Sequence, residues 1–118
     1  MSRTRALIVA AVLIVFIAAG GVLIYATRSN GGQNVTIDLT VTGGTKMNPP
    51  DFTAHQDDKV TINVTSDTDG EVHLHGYDIP FEAKAGQTVS HTFTADKTGN
   101  FLIEWETTST ELGHLVVT

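Results

Sequence analysis

Between Val35 and Thr42 every second residue is apolar: Val35, Ile37, Leu39 and Val41 alternate with Thr36, Asp38, Thr40 and Thr42. A period of two is what a strand needs to put one face in a core and the other in water, and it is incompatible with an amphipathic helix over the same residues. The Gly43-Gly44 pair stops the run. The same alternation returns at Val60, Ile62 and Val64 against Thr61, Asn63 and Thr65. It appears again at Val89, His91 and Phe93 against Ser90 and Thr92, which puts His91 at a core-facing position, and at Phe101, Ile103 and Trp105 against Leu102, Glu104 and Glu106. Leu115 and Val117 close the chain in a strand that begins near Gly113. Met47-Asn48-Pro49-Pro50 cannot lie inside a ladder, because proline has no N–H to donate, so this segment crosses an edge or corner and leaves Phe52 and Ala54 facing inward. Asp57-Asp58-Lys59 reads as a tight turn, Ser66 to Gly70 as a polar loop, and Pro80 to Gly86 as an irregular return. Six or so short strands about ten residues apart, with no helical period among them, predict a small all-β sandwich or barrel.

The first quarter of the 118 residues is different. Ala6 to Ala26 is a run of 21 uncharged and mostly apolar residues, the length of a helix that crosses a hydrocarbon core. Arg3 and Arg5 precede it and Arg28 alone follows closely, which orients the N-terminus to the cytoplasm and the rest outside. The sequence therefore predicts a single-pass N-terminal transmembrane helix within residues 1–28, a short Gly-containing linker at 29–34, and an extracytoplasmic domain at 35–118. A cleaved signal peptide ending near Ala18-Ala19-Gly20 is the competing reading. Both export the domain.

Beyond Ser29 the chain carries four lysines and all 13 acidic residues, a balance of −9 with histidines neutral. That argues against nucleic acid and against docking on anionic lipid; it is compatible with attraction of cations or of a basic partner, and first of all with a solvated surface that serves only solubility. There is no cysteine, which removes disulfides, thiolate ligands and a cysteine nucleophile.

The pattern with most chemistry in it is Glu71-Val72-His73-Leu74-His75-Gly76. Residues i and i+2 of a strand share a face, so His73 and His75 stand side by side with Cα atoms about 6.5 to 7 Å apart, while Val72 and Leu74 take the other face. Two imidazoles so placed can hold Cu(II) or Zn(II), with Glu106, Glu111 or Asp78 as an oxygen ligand from a neighbouring loop and one or two positions left to water. The bland alternative is that one histidine is exposed and the other bonds a backbone carbonyl. His91 reads as a satisfied core histidine, and His55 and His114 as surface residues. A cupin is disfavoured, since its glutamate follows the histidine pair more closely than Glu82 does here. No Gly-x-Ser-x-Gly elbow appears.

The order of several short motifs resembles the cupredoxins. These are Met47-x-Pro49, the Asp57-Asp58 turn, a strand ending in His75-Gly76-Tyr77, then Ala85-Gly86-Gln87-Thr88-Val89, then Phe93-Thr94-Ala95-Asp96-Lys97-x-Gly99-x-Phe101. The chain is especially similar to the cupredoxin-like domains of the iron-transport EfeO type and to the exported domain of cytochrome oxidase subunit II. The resemblance implies a Greek-key β-sandwich with one copper at one end. It aligns the family's first histidine ligand with His75, the cysteine ligand with Trp105, the second histidine with a position near Thr108, and the axial methionine with one near Glu111. One of those four ligands is present. A type 1 copper centre depends on a copper–thiolate bond and is excluded by the lack of cysteine, unless a partner donates the thiolate. The expected function is therefore a membrane-anchored, non-enzymatic binding module that takes Cu(II) through His73 and His75 as an accessory in metal handling, or a metal-free domain that presents its surface to another envelope protein.

Overall fold

The computed structural model describes residues 12–17, 22–29 and 32–118. Of the expected membrane span, residues 6–11 and 18–21 lie outside the described residues. The backbone of the rest is extended and paired, as strands β1 (Val12–Ile17) and β2 (Val22–Ser29). Among the described residues no helix is long and apolar enough to cross a membrane.

Nine further strands form the domain: β3 (Gly32–Thr42), β4 (Lys46–Asn48), β5 (Asp51–Ala54), β6 (Lys59–Ser66), β7 (Gly70–Leu74), β8 (Ile79–Ala83), β9 (Thr88–Thr94), β10 (Gly99–Trp105) and β11 (Thr110–Val117). They lie in two mixed sheets. The first runs β1-β2-β3-β6-β9, with β4 also on β3, and the second runs β5-β11-β10-β7-β8. From β3 onward the chain passes repeatedly from one sheet to the other. Consequently β3 and β6 pair in parallel, as do β5 and β11, while the other pairs are antiparallel.

The alternating residues set which face is inside. Val35, Ile37, Leu39 and Val41 of β3 and Val60, Ile62 and Val64 of β6 are buried against Val72, Leu74, Phe81, Ile103, Trp105, Leu115 and Val117 of the second sheet. Phe52 and Ala54 face inward as the sequence predicts. Met47 and Asn48 pair with β3 as part of the three-residue β4, and Pro49-Pro50 carry the chain on to β5 in the other sheet, so neither of these two prolines lies in a ladder. In the Asp57-Asp58 turn, the Asp58 carboxylate is buried and accepts the N–H groups of Gln33 and His55 at 2.9 and 2.8 Å. It thereby ties the start of β3 to the β5–β6 connection.

Three expectations are corrected. The return at 80–86 begins as strand β8, and Pro80 is tolerated because β8 is the last strand of its sheet and needs donors on one side only. The final strand starts at Thr110, three residues before Gly113. His91 does lie in inward phase, but β9 is an outer strand where the sandwich is open, so its side chain is exposed rather than held in the core. Its ring meets Phe81 edge-on, with centroids 4.9 Å apart.

Candidate metal centre

Val72 and Leu74 are fully buried, and that fixes the phase of β7: Glu71 and His73 are turned to the outer face of the second sheet. His75 lies one residue past the strand but keeps its register, because its N–H donates to the carbonyl of Leu102 at 2.9 Å. Gly76 and Asp78, both at positive φ (88° and 56°), then turn the chain back into β8. The neighbouring strand β10 is phased the same way. Ile103 and Trp105 are buried, so Glu104 and Glu106 emerge on the histidine face. Glu104 stands directly opposite His73, and the N–H of Glu106 donates to the carbonyl of Glu71 at 2.8 Å.

The two imidazoles are neighbours, with ring centroids 4.4 Å apart and planes tilted by 57°. One ring nitrogen from each and one oxygen of Glu106 lie within 4.8 Å of one another. On each ring Nε2 meets a carboxylate. His73 Nε2 is 2.9 Å from Asp78 Oδ1, and His75 Nε2 is 2.8 Å from Glu104 Oε1. An ionised carboxylate only accepts, so each Nε2 donates to its carboxylate, and in the tautomer this selects the lone pair lies on Nδ1. Bonds of this kind commonly orient a histidine for metal binding through the other nitrogen.

His73 Nδ1 is the unusual atom. It is buried, has no hydrogen-bond partner, and sits 3.6 Å from Glu106 Oε1. A lone pair facing a carboxylate in a partly desolvated place is unfavourable unless a cation lies between them, either a proton on the nitrogen or a metal ion. The donor set of two imidazoles and a carboxylate suits Zn(II) and Cu(II) and leaves room for water.

Of the three oxygen candidates in the sequence, Glu106 is the one placed with the pair. Asp78 is spent on His73 Nε2. Glu111 is drawn away to His114, whose Nε2 lies 3.5 Å from it and whose Nδ1 lies 3.3 Å from Asp51. Neither histidine of the pair bonds a backbone carbonyl through its ring, as the bland alternative required. Sequence reasoning missed Glu104. It stands in the same outward phase as Glu106, but that it meets His75 depends on the β7–β10 register, which no local pattern encodes. His55 is an exposed residue, as expected.

No family model matches the sequence, and no curated protein matches it. Solved structures do. A copper binding protein, determined in solution in its apo form, superposes with a TM-score of 0.62 at 16% identity over 79% of this chain and 94% of that one. A chain of a heme-copper terminal oxidase dimer superposes with a TM-score of 0.61 at 16% identity, covering 98% of this chain and 84% of that one. The fold is cupredoxin-like.

In this cupredoxin-like sandwich the slot that the resemblance gives to the cysteine holds Trp105, which is buried at 3% exposure. Its indole lies against Gly44 and Gly70, and a Cβ at either glycine would collide with it. Near the other two slots, Thr108 shares a hydroxyl hydrogen bond with Thr110 at 2.7 Å and Glu111 faces His114. The residues present do not fit a type 1 copper centre. The histidine–carboxylate group of His73, His75 and Glu106 lies instead on the outer face of the second sheet.

Proposed function

We propose that this cupredoxin-like domain is a non-enzymatic metal-binding module that takes Cu(II) or Zn(II) on the outer face of its second sheet. His73 Nδ1, a ring nitrogen of His75 and a carboxylate oxygen of Glu106 are the protein ligands, and Asp78 and Glu104 orient the two rings. The observation that carries this reading is the buried, partnerless Nδ1 of His73 aimed at a carboxylate. Three protein donors and an accessible surface suit acceptance and release of an ion better than permanent storage. Without a thiolate, electron transfer of the blue-copper kind is not part of the function. We further propose that residues 6–26 hold the module at the outer side of a membrane, where it serves as an accessory in metal handling beside other envelope proteins. The acidic balance of the exported part favours cation approach.

The test is a copper and zinc titration of the purified chain, with metal content measured after removal of loose ions. The wild type should retain about one ion, as a single three-donor site allows, and the copper form should have no intense visible thiolate band. The double substitution His73→Ala/His75→Ala should abolish retention. Equal metal content in the two proteins would sink the proposal.

A further inference from the structure

Strand β9 ends its sheet, and among the described residues no strand lies on its outer side. Among the strands from β3 onward, the other outer ones carry features that discourage edge pairing. β8 contains Pro80 and Glu82, β5 follows Pro49-Pro50 and starts at Asp51, and β4 is only three residues long and begins with Lys46. β9 has none of these. It runs seven residues without proline, lysine, arginine or carboxylate, and its register with β6 is unbroken from Thr88 to Thr94. An edge of that kind is an open template for another strand. Its inward face is also poorly covered, with Val89 and Phe93 half-buried and His91 exposed.

The order of residues says what fits. Thr88-Val89-Ser90-His91-Thr92-Phe93-Thr94 is a chemical palindrome about His91. Against an antiparallel second copy in full register, Thr88 faces Thr94, Val89 faces Phe93, Ser90 faces Thr92, and His91 faces its own counterpart. Hydroxyl meets hydroxyl on the outer face, and β-branched meets aromatic on the inner, a favourable cross-strand pair. A two-fold axis at His91 makes the contact self-complementary, as a symmetric dimer requires. Residues 83–95 contain Lys84 and no acidic side chain, so two acidic domains meet where their mutual repulsion is weakest. We propose that β9 pairs with β9 of a second copy, joining two sandwiches through one continuous sheet.

The absence of cysteine makes a clean test available. In the full chain in mild detergent with EDTA present, His91→Cys should form a disulfide-linked dimer on treatment with diamide, because on-axis residues face each other with Cβ atoms about 5 Å apart. Thr53→Cys, exposed on β5, should stay unlinked. In sedimentation the wild type should dimerise. His91→Lys, which sets like charges opposite each other at an exposed position, should weaken the dimer by about tenfold or more while the circular dichroism melt is retained. Equal linking at positions 53 and 91, a wild type that sediments only as monomer, or a His91→Lys dimer of undiminished strength would each overturn the proposal. None of these readouts depends on the metal site.

Discussion

His73 and Tyr77 illustrate how a single side chain can be satisfied or poised. With Asp78 and Glu104 orienting the rings, Asp78→Asn and Glu104→Gln should each lower Cu(II) affinity by about 10- to 100-fold without changing stoichiometry, as outer-shell substitutions do. Competitive titration against a chelator reads this directly. Acidification should weaken binding at the proposed site as well, since protons compete with a metal ion for its ligands. Tyr77 is the satisfied case. Its hydroxyl donates to the carbonyl of Lys97 at 2.7 Å and accepts the Lys97 N–H at 3.1 Å, and its ring packs on Phe93 and Phe101. Burial pushes the phenol above its usual range. The folded state therefore holds this proton more tightly than the unfolded chain, and stability should fall as the pH rises past about 10, where the unfolded phenol ionises. Chemical denaturation from pH 8 to 11 should show that loss in the wild type and a smaller one in Tyr77→Phe.

At the scale of elements, the junction of β7, β10 and the β3–β4 turn is closed by one indole. Gly70 begins β7 and Gly44 lies in the turn, and each leaves the space that Trp105 occupies. Gly70→Ala should destabilise by about 1–3 kcal/mol through overpacking. Trp105→Ala should cost about 3–5 kcal/mol through the cavity it leaves. In the Trp105→Ala background the Gly70 substitution should become much less costly, because the group it strikes is gone. Urea denaturation of the four proteins completes the cycle.

The same elements mark what could be read from sequence. Alternation placed β3, β6, β9 and β10 and their inward faces, because burying one face of a strand demands it. It also put His73 and His75 side by side. The selection of Glu106 over Glu111 and the role of Glu104 were not readable, since both follow from strand registers and from the β-bulge at Ile103/Glu104 against β11. The misreading of His91 has the same origin. A period of two gives the side of the sheet, but whether that side is covered depends on which strand ends the sheet.

For the whole molecule, the sequence separates an apolar N-terminal run from an acidic domain. With residues 6–26 in place, the chain should sediment with membranes and resist extraction by salt and by alkaline carbonate, whereas deletion of residues 1–28 should release the domain to the soluble fraction. Fractionation followed by immunoblotting distinguishes this from a chain whose N-terminus is removed, which would appear soluble and shortened. Eight of the 13 acidic residues, Asp51, Asp69, Glu71, Asp78, Glu82, Glu104, Glu106 and Glu111, lie on or next to the strands of the second sheet. That concentration raises the local supply of cations near His73 and His75 and should make metal uptake slower as ionic strength rises.

An indole in the slot that the resemblance gives to a metal ligand has one last consequence. Because Trp105 fills the interior without any ion, removal of copper and zinc should leave the proposed module empty yet folded, with an unchanged thermal melt.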